Sequence, residues 1–322
     1  MTQSLQAAIE NFQPLLPLGV AFSGGADSTA LLIACHRRWP GQVVALHVNH
    51  GLQEAAIAFE AHCRQVCLRL GVVLCVQMVD AHPVAGQSPE DAARLARYKA
   101  LLGLAQAYTG LPALAGIAIA QHADDQVETI LLAMGRGSGL AGISGMPAHW
   151  RRDGLDFYRP LLQVSGQDLR QWLVMQQIDW IEDPSNINEK FTRNRIRAKL
   201  LPALQESLPQ FRDTFARTAM HAAQAQAVLD ELAQADMALV CKVPAEQPQI
   251  KTLQSMSRAR QANVLRYWLK TYCRTIPSNA QLAELLSQVD VCRTRGHKIH
   301  IKVGSGFVKR QASVLTWYNP AV

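Results

Sequence analysis

Nine residues constrain this chain more than any others: Ala21-Phe22-Ser23-Gly24-Gly25-Ala26-Asp27-Ser28-Thr29. A short apolar run, Leu18 to Phe22, leads into them and reads as a strand, while Ala30-Leu31-Leu32-Ile33-Ala34 leads out and reads as a helix. Two adjacent glycines allow a sharp turn and a close approach of backbone to a ligand. Ser28 stands where a helix N-cap is expected. The N–H groups and the positive dipole end of that helix then face the turn, and the natural occupant is an anion. A bare Gly-Gly pair would signify only a turn, but Ser-Gly-Gly-x-Asp-Ser between a strand and a helix signifies more. No Lys follows the glycines, so the loop is not of the Walker A type. Ser23, Gly24, Gly25, Ala26 and Ser28 suit a pyrophosphate, and Asp27 suits a Mg²⁺ held by it.

Strand and helix patterns go on alternating. Gln42 to Val48, Val72 to Val79 and Ala113 to Ala120 read as strands. Ala56 to Leu70, and a segment opened by Ser88-Pro89-Glu90, read as helices. This spacing predicts a parallel sheet with helices on both faces. Ligands bind beyond the carboxyl ends of such strands. Ser23–Ser28, His47-Val48-Asn49-His50, Asp80 and Gln121–Glu128 therefore fall along one edge. Asp125 and Glu128 are three apart and share a helical face. Acids in a first turn also favour the helix dipole. With His122 and Asp124 beside them, they are candidates to hold a cationic substrate or Mg²⁺.

The 322 residues suffice for two domains. Arg136-Gly137-Ser138-Gly139 ends a helix, and the Gly-rich stretch up to Trp150 is either a segment that closes on substrate or a long loop. Tyr158-Arg159-Pro160-Leu161-Leu162 reads as a strand end, and Ser165 as the cap of a helix to about Gln177. Trp180 to Asn186 reads as a strand breaking into a turn. Phe191 starts a basic helix, and Pro202 and Pro209 mark a boundary. Phe211 to Val240 forms one long helix and Cys241 to Gln249 a linker. Helices follow from Ser257 and Ser278, then three short antiparallel strands over His297–Val303, Gly306–Ala312 and Val314–Tyr318. Residues 1–190 hold 13 Lys and Arg against 17 Asp and Glu, whereas residues 191–322 hold 19 against 8. An acidic half followed by a basic one points to a catalytic domain and a polyanion-binding domain. The seven cysteines include no C-x-x-C pair. Cys63, Cys67 and Cys75 fall in helix and strand patterns and read as buried thiols, not as metal ligands or disulfides, which fits a reducing cytoplasm. Met1 to Gln13 does not read as a signal peptide, and Leu101 to Ala120 is too interrupted for a membrane span.

In this order, several segments resemble the tRNA(Ile)-lysidine synthetases of the PP-loop ATP pyrophosphatase superfamily, over most of residues 18–201. They are Ser23–Ser28, His47–Leu52, Ala93–Tyr98, His122–Thr129, Arg136–Gly139, Arg159–Leu162, Glu182–Asn186 and Arg193–Arg197. The resemblance implies an α/β catalytic domain over residues 1–204 and a smaller α+β tRNA-binding domain over residues 205–322. It implies that ATP adenylates the C2 oxygen of the wobble cytidine in an isoleucine tRNA with a CAU anticodon. The ε-amine of free L-lysine then attacks C2 and AMP leaves, giving lysidine. Ser23, Gly24, Gly25, Ala26 and Ser28 would hold phosphates and Asp27 the Mg²⁺. Asp125 and Glu128 would receive the lysine ammonium. Arg193 would meet the lysine carboxylate or a transition-state charge. Arg94 and Arg97 fit RNA or phosphate contacts. The resemblance admits a homodimer and involves no membrane.

Two departures stand out. Asn188 occupies a position where many relatives carry an acid, and the chain ends near residue 322 where longer members add a C-terminal domain. Competing readings are a sulfur-inserting tRNA thiolase on the same fold, disfavoured by the missing cysteine pair, and a small-molecule amidating enzyme. A non-catalytic RNA-binding protein on a degenerate loop is a third, disfavoured by the intact Ser-Gly-Gly-x-Asp-Ser.

Overall fold

The computed structural model describes residues 2–49, 55–79, 89–110, 112–184, 188–241, 246–294 and 296–320. The chain divides into two compact units, Met1–Ala222 and Ala223–Val322. The first opens with α1 (Leu5–Asn11), β1 (Leu18–Ala21), α2 (Ala26–Arg38), β2 (Val43–Asn49), α3 (Ala55–Leu70) and β3 (Val73–Met78). It continues through α4 (Pro89–Ala107), β4 (Gly116–Ala118), α5 (Ala123–Gly135), α6 (Leu140–Ile143), β5 (His149–Arg152), β6 (Leu155–Tyr158) and α7 (Gly166–Met175). A run of α8 (Thr192–Arg195), a π-helical turn (Ile196–Leu200) and α9 (Leu201–Ser207) leads to α10 (Phe211–Val240), which carries the chain into the second unit.

The sheet order is β3-β2-β1-β4-β6-β5. Every neighbouring pair is parallel except β5 on β6. Strand side chains alternate between faces, and β2 shows what each face meets. Val43 and Ala45 join a core with Leu31 of α2, Val66 of α3 and Leu169 of α7, whereas Val44 and Leu46 join Tyr98 and Leu101 of α4. Helices therefore cover both sides, which is why the strands are apolar on both. From β1 the chain adds β2 and β3 on one side, and β4 lies on the other. The loops after β1 and β4 diverge at this switch point and leave a crevice beyond the strand ends.

The structure corrects four local expectations. Ser28 is not the N-cap of α2: Gly25 is, and Ser28 lies inside the first turn. The fourth strand spans only Gly116–Ala118. The segment around Trp180 is not a strand but extended coil. The Gly-rich stretch ends in a β5–β6 hairpin. His50, Gly51, Leu52, Asp80, Ser88, Ser185 and Asn186 lie outside the described residues.

The second unit contains the rest of α10, then α11 (Ile250–Gln254), α12 (Arg258–Thr271) and α13 (Asn279–Val291), followed by β7 (His300–Val303), β8 (Gly306–Gln311) and β9 (Val314–Tyr318). The three strands are antiparallel in that order. Ser257 and Ser278 cap α12 and α13, the latter in a reciprocal box with Gln281. Leu265, Trp268, Leu285, Val303, Val308 and Leu315 form its core. Among the described residues, no helix is long and apolar enough to cross a membrane.

Candidate active site

The loop after β1 is held open by its own side chains. Ser28 Oγ donates to Gly25 O at 3.0 Å and accepts from Ser23 N at 3.2 Å, and it lies 3.0 Å from Ser23 Oγ. Thr29 Oγ1 donates to the same Gly25 carbonyl at 2.9 Å. Gly24 has φ +86°, and a Cβ there would stand 3.1 Å from Cys63 Sγ. Gly25 has φ −76° and no side-chain cap, so the first amides of α2 point into the crevice without one. From beneath, the buried His47 fixes the loop: its Nδ1 lies 2.8 Å from Phe22 O, and since a carbonyl can only accept, Nδ1 carries the proton. From above, Ile181 N donates to Gly24 O at 3.0 Å.

The loop after β4 brings His122 to the same place. His122 caps α5: its Nδ1 accepts from Asp124 N at 3.2 Å, and its own amide donates to Asp125 Oδ2 at 3.0 Å. Its Nε2 faces Asp27 Oδ2 at 3.4 Å and Asp125 Oδ2 at 3.6 Å. Burial alone would lower the imidazole pKa, but Asp125, Asp27 and Asp124 overcome it and raise the value to about 9. The capping contact describes a neutral ring and the raised pKa a cation. Three carboxylates around a buried ring outweigh one 3.2 Å amide contact, and Asp124 Oδ2 lies 3.6 Å from Nδ1. Burial also resists ionisation of Asp27. The hydrogen bond and charge of His122, with Arg170 and Arg197, more than offset this and hold its carboxyl below the usual range.

Asp124 is structural. Its two oxygens accept from Arg212 Nε at 2.6 Å and from Gly166 N at 2.8 Å, tying α5 to the starts of α7 and α10. Asp125 and Glu128 do share a face, and Arg197 occupies it. Its Nε donates to Glu128 Oε1 at 2.9 Å, and its Nη2 reaches Glu128 Oε2 at 3.2 Å and Asp125 Oδ1 at 3.3 Å. Glu128 is fully buried. Burial pushes its carboxyl up, and Arg197 offsets this only in part.

Of the residues expected from sequence, Ser23, Gly24, Gly25, Ala26, Asp27 and Ser28 form one wall, and Asp125 and Glu128 the other. Arg193 lies on α8, within electrostatic range of Arg97. Sequence reasoning named His122 without a role and expected one or two of Arg193, Arg195 and Arg197 at the site edge without choosing; the π-helical turn delivers Arg197 to Glu128. Sequence reasoning missed Arg170, 4.0 Å from Asp27 Oδ1. Arg159, buried, proves to be a clamp: it donates to Gln121, to Pro147 O at 2.8 Å and to Tyr98 Oη at 3.0 Å.

The residues fit a bound cation beside Asp27. Its Oδ1 is buried and makes no hydrogen bond. Among the described residues, no group of three His, Cys, Asp or Glu could hold a metal by itself, so phosphate and water oxygens would complete the shell, as Mg²⁺ prefers.

A Gly-rich loop at the switch point of a parallel sheet, followed by an acid and by no lysine, defines a PP-loop ATP-binding domain, and a family profile described as "PP-loop domain" matches residues 1–204. A second, "TilS substrate binding domain", matches residues 249–315. A tRNA(Ile)-lysidine synthase of Polaromonas naphthalenivorans is 56% identical over 95% of this chain and 90% of its own. The chain belongs to the tRNA(Ile)-lysidine synthase family, a family of ligases. One from Burkholderia pseudomallei is 39% identical over 86% of this chain but only 56% of its own, so the chain spans about half the length of that relative. The fold is also that of a U34-tRNA thiolase from Methanococcus maripaludis carrying a [4Fe-4S] cluster, with a TM-score of 0.57 at 12% identity over 67% of this chain and 76% of that one.

Proposed function

We propose that this protein joins L-lysine to C2 of the wobble cytidine in CAU-anticodon isoleucine tRNA. ATP activates the cytidine and the products are lysidine, AMP and pyrophosphate. Residues 1–204 would carry the chemistry and residues 205–322 would hold the tRNA, in the cytoplasm. The observation that carries this reading is the meeting of Asp27, His122, Asp125 and Glu128 beside the open amides of α2. In the first step the C2 oxygen attacks the α-phosphorus and pyrophosphate leaves. Ser23, Ser28 and the amides from Gly24 to Ala26 suit the departing phosphates. Mg²⁺, held by Asp27, would screen the charge of those phosphates. In the second step the lysine amine attacks C2, and the C2–O bond breaks with AMP. Asp125 offers a partly exposed carboxylate to the ammonium. Glu128, with its raised pKa, suits the proton that must leave the amine, and Arg197 must yield for the amine to reach it. Arg193 remains the proposed partner of the lysine carboxylate.

A thiolase reading finds no support among the cysteines. Cys63 and Cys67 are buried, and burial raises both thiols to about 12, so neither is poised as a thiolate. The experiment is incorporation of labelled lysine into unmodified isoleucine tRNA with ATP present or withheld, and methionine tRNA as control. Label in the isoleucine tRNA alone, and only with ATP, is expected. Pyrophosphate release without label would move the reaction to another nucleophile. Asp27→Ala is expected to abolish pyrophosphate release, and unchanged release would remove Asp27 from the mechanism. Sedimentation would decide whether the protein is a homodimer.

A further inference from the structure

One face of the β7–β9 sheet has no role in the site above. Residues paired across an antiparallel ladder lie on the same face. His300 pairs with Lys309, Lys302 with Phe307, Phe307 with Tyr318, and Lys309 with Thr316. These residues therefore share one face, while Val303, Val308 and Leu315 bury the other in the core. Three rings on the outer face lie nearly parallel. His300 and Phe307 are 4.8 Å apart at 7°, and Phe307 and Tyr318 are 5.8 Å apart at 25°. His300 Nε2 also meets Tyr318 Oη at 2.9 Å, which locks the ladder. Lys309 Nζ sits 4.7 Å from the Tyr318 ring centre. His300, Lys302 and Lys309 are exposed, and Phe307 and Tyr318 partly so.

The charged residues that the ladder places on this face, Lys302 and Lys309, are both cations. Residues 291–322 contain six Lys and Arg and no Asp or Glu. Cross-strand stacking alone would stabilise the sheet, but it does not call for lysines beside the rings. Rings flanked by cations match an unpaired nucleotide, whose base stacks and whose phosphate pairs. A duplex offers phosphates but keeps its base faces to itself. We propose that this face binds an unpaired stretch of the tRNA, with bases on the His300–Phe307–Tyr318 ladder and phosphates on Lys302 and Lys309. The proposal rests on the tRNA-substrate reading and adds a surface and a chemistry to it.

The test is an anisotropy titration of labelled isoleucine tRNA with the full chain and two double variants. His300→Ala/Phe307→Leu is expected to weaken binding about ten-fold with the salt slope unchanged. Lys302→Gln/Lys309→Gln is expected to reduce the salt slope by about one to two. Leucine keeps an apolar residue at position 307, and an unchanged Tm for each variant shows that the sheet persists. An unpaired RNA of about six nucleotides should compete with the tRNA where a duplex of equal length does not. Wild-type affinity in the folded ring variant, or equal competition by the duplex, overturns the proposal. If the wild type adds lysine while both variants bind tRNA as it does, only this proposal falls. If the wild type binds no isoleucine tRNA, the substrate reading falls and takes this one with it.

Discussion

A histidine enclosed by three carboxylates does not titrate as it does in water, and His122 turns that into a property of the whole protein. Its folded pKa of about 9 lies above the ordinary 6.5. Folding therefore takes up a proton between those values. The stabilisation is complete below pH 6.5 and is lost as pH rises through 9. It is on the order of 3 kcal/mol at its fullest. Denaturant midpoints of the metal- and nucleotide-free protein are expected to fall across that window, and His122→Gln to flatten the fall. An unaltered slope in the variant would place the titrating group elsewhere. His122 was visible in sequence only as a residue at the right edge. Its three neighbours come from α2 and α5, which no local pattern joins.

The strand–loop–helix around Gly24 was legible because each backbone demand has a residue type that meets it. The two glycines nevertheless do different work. Alanine at Gly24 would adopt a left-handed φ of +86° and press on Cys63 and His62 at 3.1 and 3.3 Å. It is expected to cost about 1–3 kcal/mol. Alanine at Gly25 meets only Ser23 Oγ at 3.6 Å and Ile181 O at 3.8 Å, at an ordinary φ. Its stability is expected to stay within about 0.5 kcal/mol of wild type while ATP-dependent pyrophosphate release is lost. Retained release would mean that no ligand approaches Gly25. Other elements were hidden for physical reasons. His149-Trp150-Arg151-Arg152 carries no apolar alternation, because β5 is a half-exposed edge strand. Trp180-Ile181 looks strand-like but makes one backbone bond to the loop instead of a ladder. Ser28 was mistaken for a cap because a polar residue suits the cap and the first turn alike.

For the molecule as a whole, the charge division along the chain was legible from composition, with the positive excess carried by residues 191–322. If the basic part holds tRNA through four or so phosphates, binding is expected to weaken about a hundred-fold between about 50 and 200 mM salt. Binding that ignores salt would leave the basic residues as solubilising charge. Arginine is put to varied use within this scheme. Arg159, Arg197 and Arg212 hold loops and carboxylates inside the first unit, and Arg260 holds the buried Asp236 inside the second. A count of positive charge therefore overstates what is available to RNA.

The π-helical turn at Ile196–Leu200 has a consequence for a shortened chain. Its hydrogen-bonded rings hold one residue more than those of the helices around it. Removing Ala198 would let the backbone close into an ordinary helix. The helix on either side would keep its register, with Leu201 and Leu204 still packed beside Val127 and Phe211, because the turn absorbs the additional residue locally. Arg197 lies inside the turn, so its direction towards the buried Glu128 is what depends on the additional residue. Removing Ala198 is therefore expected to keep the fold while altering the Arg197–Glu128 pair alone, and a variant that unfolds would show that the turn also carries stability.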